Sequence, residues 1–182
     1  QDTYKPGALG GLVGEVTNVW NGQPLGLFMV ERNTMIEATE GDNATPIFNG
    51  MTFKAPVGTN SGNIIMYHAT ENVKYYPLTK AYDFYGYHLG EMTAPTGVTY
   101  ADDKSNATVA TTINGTQDIM AGKAELTPDQ QTTLGNDSYK AYSSWSARKG
   151  IKPYLNFKHM LSRLVFNVKA GEAKAAKESY VG

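Results

Sequence analysis

Apolar residues in this chain come in short alternating or continuous runs, each stopped by turn residues, a texture that predicts strands rather than helices. Leu25-Gly26-Leu27-Phe28-Met29-Val30 follows Asn21-Gly22 and Pro24, and stops at the polar Glu31-Arg32-Asn33-Thr34. Met51-Thr52-Phe53-Lys54 lies between Asn49-Gly50 and Pro56, and Ile64-Ile65-Met66-Tyr67 follows the turn-rich loop 58–63. The most aromatic run is Tyr82-Asp83-Phe84-Tyr85-Gly86-Tyr87-His88-Leu89. A two-residue period puts Tyr82, Phe84, Gly86 and His88 on one face and Tyr85, Tyr87 and Leu89 on the other. Aromatics on both faces predict a strand inside a sandwich, with one side covered and the other partly covered. A further strand, rich in Thr, is expected over 109–113.

Helical signals are few. Thr127-Pro128-Asp129-Gln130 offers an N-cap Thr, a Pro at the first helical position and a Gln to close a capping box. Gly135 should stop this helix after about two turns. Tyr139, Tyr142 and Trp145 recur at spacings of three over 138–149, which suits a second short helix or an aromatic-anchored loop closed by Gly150 and Pro153. Over 154–168 two patterns compete. Leu155, Phe157, His159 and Leu161 alternate, and Leu164, Phe166 and Val168 alternate in the opposite phase, as in a strand with a bulge near Ser162-Arg163. Phe157, Leu161, Leu164 and Val168 also satisfy a helical stripe. The β-prone Val165-Phe166-Asn167-Val168 favours the strand. Residues 173–178 read as a solvated helical turn or loop, and Tyr180-Val181 as the opening of another strand.

Composition narrows the class. At 182 residues the chain suits a single domain with enough length to bury a core. Only 18% of residues are charged, below the roughly 25% usual for globular domains. Sixteen Lys and Arg against seventeen Asp and Glu leave a net charge of -1, with no footprint for nucleic acid or an anionic membrane. The absence of Cys excludes disulfides, thiol catalysis and thiolate metal sites. No run of about 18 apolar residues spans a membrane, and the opening Gln1-Asp2-Thr3-Tyr4-Lys5-Pro6 lacks a signal-peptide pattern, as expected of a processed or trimmed chain.

Recognisable catalytic motifs are absent. There is no His-Glu-x-x-His helix, no phosphate-binding Gly-x4-Gly-Lys and no Gly-x-Ser-x-Gly elbow. The nearest approach, Gly58-Thr59-Asn60-Ser61-Gly62, has Asn where a nucleophile would sit and reads as a turn-rich loop. His68, His88 and His159 could share a metal only by convergence that their spacing does not predict. His88 and His159 have large apolar neighbours and read instead as core or half-buried, hydrogen-bonded histidines. Asp83 and Asp118 invite a carboxylate-pair reading, yet both sit at strand or turn starts, where Asp commonly accepts backbone donors. The twelve Tyr and two Trp, Trp20 and Trp145, could build a sugar-stacking platform but more often serve as core and rim. Asn43, Asn106, Asn114 and Asn136 begin Asn-x-Ser/Thr triplets, which mark surface loops. No catalytic residue, metal ligand or cofactor-binding residue is therefore assigned, and no enzyme activity is expected.

Several segments in order resemble the fimbrillin family, the subunits of the type V pili of Bacteroidales. They are Leu25-Gly26-Leu27-Phe28-Met29, then Tyr75-Tyr76-Pro77-Leu78 leading into Tyr82-Asp83-Phe84-Tyr85-Gly86-Tyr87. Asp118-Ile119-Met120-Ala121-Gly122-Lys123-Ala124 follows, and the block 155–168 with Phe157-Lys158-His159-Met160-Leu161-Ser162-Arg163-Leu164 comes last. The resemblance covers about residues 25–170. It implies an all-β, Greek-key, transthyretin-like β-sandwich with one or two short helices in loops, and it moves 154–168 to strand. It also implies that residues 1–182 form the N-terminal domain of a longer exported subunit, with a second domain downstream and a lipid anchor on a Cys that this chain lacks. The implied function is a structural or adhesive subunit of a cell-surface, outer-membrane-associated fimbria. Its partners are other fimbrial subunits joined by strand addition, and a host or bacterial surface ligand. Pilin relatives mature by cleavage with an Arg-specific protease, for which Arg32 is the candidate here, although Arg32 also reads as an ordinary strand-end charge. A surface carbohydrate-binding module using exposed Tyr and Trp is the alternative.

Overall fold

A computed structural model describes residues 19–41, 45–66, 74–90, 95–115 and 117–161. Strands dominate, and every strand pairing is antiparallel. In chain order they are β1 (Trp20–Asn21), β2 (Pro24–Glu31), β3 (Thr39–Glu40), β4 (Thr45–Pro46), β5 (Asn49–Lys54) and β6 (Val57–Thr59). After these come β7 (Ile65–Met66), β8 (Tyr82–Leu89), β9 (Gly97–Tyr100), β10 (Ala107–Ala110), β11 (Ile119–Lys123) and β12 (Lys158–His159). Among the described residues, helix forms in α1 (Pro128–Leu134), a 3-10 turn (Gly135–Lys140) and α2 (Ser144–Ala147). The fold is all-β.

One six-stranded sheet, ordered β12-β11-β8-β2-β5-β7, carries the molecule; β1 with β6, β3 with β4, and β9 with β10 form small ribbons. Within it β8 returns after β7 to lie beside β2, giving the order β8-β2-β5-β7. As the central strand, β2 pairs with β5 on one side and β8 on the other, and residues 25–30 are all buried. Its continuous apolar run has that cause: a strand covered on both faces needs no polar alternation.

Register assigns the two faces. On the inner face Leu27 lies opposite Gly86 and Met29 opposite Phe84; on the outer face Gly26 meets Tyr87, Phe28 meets Tyr85 and Val30 meets Asp83. In β8, Tyr82, Phe84, Gly86 and His88 are buried while Tyr85 and Tyr87 are half-buried, as the alternation predicts. Gly26 lets the Tyr87 ring lie over the strand, since a Cβ there would fall 2.2 Å from Tyr87 Cζ and the ring would have to turn aside. In β5, Gly50 is the extra residue where the register with β2 shifts between Leu27 and Phe28. Its φ of +73° is the left-handed conformation a glycine bulge supplies.

The main core joins this sheet to the helical segment, with Met29, Tyr82, Phe84, Ala124, Leu134, Tyr142 and Ile151 packed together. The cap of α1 forms as the sequence predicts: Thr127 Oγ1 accepts from Gln130 N–H and Gln130 Oε1 accepts from Thr127 N–H. Gly135 ends the helix at φ +52°. Over 138–149 helix does form, but in two pieces, because Tyr142 adopts φ +56° between them. The Thr-rich strand sits earlier than expected, at β10 (Ala107–Ala110), because its partner β9 begins at Gly97, two residues after Pro95. Residues 111–113 therefore have no ladder to join. In the described part of the C-terminal block the strand is shorter than expected, limited to Lys158–His159 with an isolated bridge before it. Leu155 bridges Ala124, and β12 pairs with β11 through Met120–His159 and Ala121–Lys158. The bulge near Ser162-Arg163, the second half of that block, residues 173–178 and Tyr180-Val181 lie outside the described residues.

Candidate functional site

The inner face of the sheet is not fully covered. Between it, the loop 60–64 and the segment 152–157 runs a groove of about 430 Å³. Leu25, Leu27, Met29, Phe53 and Phe84 form its floor, each no more than 6% exposed. Phe157 and Trp20 make one wall, meeting edge-on with ring centres 5.3 Å apart. That wall stands close to the sheet because two glycines face each other across β8 and β11. Gly86 pairs with Gly122; a Cβ on Gly86 would lie 2.7 Å from Phe157 Cζ, and one on Gly122 would lie 2.5 Å from Asn156 O. Tyr75, Lys152, Tyr154, Asn60 and Asn63 are exposed at the rim. An apolar trough floored by strand side chains is chemically suited to alternate side chains of an extended segment.

Arg32 sits just beyond β2 and spans two parts of the molecule. Its Nη1 donates to Tyr139 O (2.9 Å), and its Nη2 donates to Tyr82 O (3.1 Å) and Ala141 O (2.6 Å). Its Nε lies 3.6 Å from Asp83 Oδ1, and its guanidinium stands 5.8 Å from the centre of the Tyr142 ring. The fork thus ties the sheet to the helical segment. Asp83 is buried but compensated: Lys123 Nζ lies 3.6 Å from Oδ2, which also accepts Asn33 N–H at 2.9 Å. The expected backbone role of Asp83 is met, with two cations added that the sequence did not reveal.

The histidines divide. His88 is buried, with Nδ1 2.8 Å from Pro24 O and its ring against Trp20, a satisfied core histidine. His159 corrects the expectation of a core or half-buried group: its side chain is 56% exposed, because β12 lies at the sheet edge. There Nδ1 meets Asp118 Oδ1 at 2.7 Å, so Asp118 serves a side chain rather than backbone donors. His68 lies outside the described residues. Among the described residues no three His, Asp or Glu side chains converge as metal ligands would. Asp83 and Asp118 hold separate partner sets and do not act as a pair.

The aromatic side chains fall into three environments. Trp20 is packed into the groove wall, and Trp145 is faced by the ammonium groups of Lys140 and Lys149 at 4.9 and 4.8 Å from its ring. Among the described residues Tyr75, Tyr139 and Tyr154 are the exposed ones. No helix among the described residues is long and apolar enough to cross a membrane.

Neither a curated protein nor a solved structure matches this chain. A family model described as fimbrillin-like matches residues 15–181, and that family comprises structural subunits of fimbriae rather than enzymes. The match runs over nearly the whole length, through every strand of the central sheet and both walls of the groove, and the chain belongs to the fimbrillin-like family.

Proposed function

We propose that this chain is a structural or adhesive subunit of a cell-surface fimbria that joins its neighbours by strand addition, and that the inner-face groove receives the incoming strand. The supporting observation is the groove floor: five large apolar side chains, contributed by β2, β5 and β8, line an open trough. Because the floor side chains are already shielded from water, the apolar gain comes from the entering segment's own side chains, at roughly 25 cal/mol per Å² of surface they lose, while main-chain hydrogen bonds fix direction. Specificity comes from side-chain spacing, because only every second residue of a strand reaches the floor.

Arg32 is the proposed maturation site within this reading. Cleavage after it would cut the chain just past β2, and since β2 supplies Leu25, Leu27 and Met29 of the floor, the groove belongs to the form in which β2 stays in the sheet. Since the guanidinium is engaged by three carbonyls and Asp83, cutting belongs to a form in which the fork has first been released. A surface ligand on host or bacterium and attachment through a lipid anchor belong to the same proposal.

Uptake of extended peptides tests the groove. Trp20 in the wall reports on occupancy through its fluorescence. Nine-residue peptides alternating Val with Thr should bind, and peptides of the same composition in scrambled order should not. Equal behaviour of the two sets would remove the groove from the assembly mechanism.

A further inference from the structure

The charge of the groove sets a requirement on what enters it. No Asp or Glu is among its lining residues, and two lysines, Lys74 and Lys152, are. They are not equivalent. Lys74 Nζ is already paired with Glu40 Oε2 at 3.0 Å. Lys152 is exposed and has no carboxylate partner among the described residues. Its backbone is nevertheless held in place: its carbonyl accepts from Gln130 Nε2 at 2.8 Å, and Gln130 closes the capping box of α1. An ammonium with no carboxylate partner among the described residues therefore stands, on an anchored backbone, at the rim of a trough with an apolar floor.

Resting on the strand-addition reading, we infer that the segment received from a second subunit carries a carboxylate positioned against Lys152, in addition to apolar side chains at alternate positions. The floor excludes a charge in the middle of the segment, because Leu25, Leu27, Met29, Phe53 and Phe84 would leave it buried without a partner. At the rim the carboxylate remains partly solvated and meets a cation that no carboxylate of the described residues engages. Opposite charge there selects the register in which the strand slides home, and like charge rejects the wrong one. A long-chain fatty acid shares the apolar-plus-carboxylate chemistry, so the occupant must be told apart by experiment.

The probes are nine-residue Val/Thr alternating peptides in which one Glu is moved through successive positions, each compared with its Gln and Lys counterparts, and sodium palmitate. Affinities are read from Trp20 fluorescence on the intact chain at low and high salt. One Glu position should bind about three- to fivefold more tightly than Gln, as expected of a rim ion pair, and salt should erase the advantage. Lys152→Glu, an exposed substitution, should transfer the preference to the Lys peptide at that position. Equal binding of Glu, Gln and Lys peptides at every position overturns the carboxylate requirement and leaves strand addition standing. Palmitate binding without peptide binding, or no binding of any probe, overturns both.

Discussion

The ring of Phe157 rests on Gly86, so close that a Cβ there would lie 2.7 Å from Phe157 Cζ. The neighbouring contact, between Gly122 and Asn156, has the same geometry but a different consequence. Gly86 meets the tip of a side chain, which can swing; Gly122 meets a backbone carbonyl at 2.5 Å, which cannot move without carrying the segment with it. Gly122→Ala should therefore cost more than Gly86→Ala, about 1–3 kcal/mol against the lower end of that range. Urea midpoints give the comparison. Gly86→Ala combined with Phe157→Leu should recover part of the single-variant loss, since the two residues touch.

Arg32 should behave as a tie rather than an exposed charge. Arg32→Ala leaves the carbonyls of Tyr82 and Ala141 without their donor and removes one of the two cations beside buried Asp83. The expected loss is about 2–4 kcal/mol. Arg32→Lys should fall between wild type and Ala, because an ammonium keeps the charge but not the planar fork. An Arg-specific protease should cut the folded chain at Arg148, in the exposed turn after α2, before it cuts at Arg32. Mass spectrometry of early fragments decides this; early cleavage at Arg32 with the fold retained would show that its contacts do not guard it.

The two helix caps should differ in sensitivity although their motifs match. Thr127 caps α1 at a half-exposed position where water can replace a lost bond, so Thr127→Ala should cost about 1 kcal/mol. Ser146 is fully buried, and its Oγ accepts Ser143 N–H at 3.0 Å. Ser146→Ala strands that donor inside the protein and should cost more than the Thr127 change, about 1–3 kcal/mol. Thermal midpoints of the two variants measure the gap.

Elements defined by local pattern were legible in the sequence: β2 from its apolar run, β8 from its alternation, α1 from Thr127, Pro128, Gln130 and Gly135. The groove was not. Its floor comes from β2, β5 and β8, and its walls from residues before β2 and after α2, so only pairing brings them together. The Gly86–Gly122 contact was invisible for the same reason, as each glycine alone reads as a weak strand residue. The exposure of His159 followed from the position of β12 at the sheet edge, which no local pattern encodes. Arg32 was visible as a residue of interest, but its partners at Tyr139 and Ala141 lie more than a hundred residues away.

Alkali should destabilise this protein through its buried tyrosines. Burial, opposed by Arg32 and assisted by Asp83 and Glu125, pushes the Tyr142 hydroxyl up to about 12. Burial and Glu37 carry Tyr100 to about 12, and burial raises Tyr76 above the ordinary range as well. A folded pKa above the unfolded value near 10 means that the folded state holds its proton more tightly. The stability these groups contribute is complete below pH 10 and is lost as pH rises toward 12. Tyr142 separates this effect from packing, because its hydroxyl is buried with no hydrogen-bond partner among the described residues. Its ring packs edge-on against Phe84 at 6.0 Å and against Arg32, and Phe keeps those contacts. Tyr142→Phe should thus be neutral or slightly stabilising at pH 7 and should flatten the alkaline limb of a stability–pH curve. Denaturant midpoints taken from pH 8 to 12 for both proteins measure it, with tyrosinate absorbance reporting ionisation. Parallel alkaline limbs for the two proteins would show that Tyr142 ionisation is not coupled to unfolding.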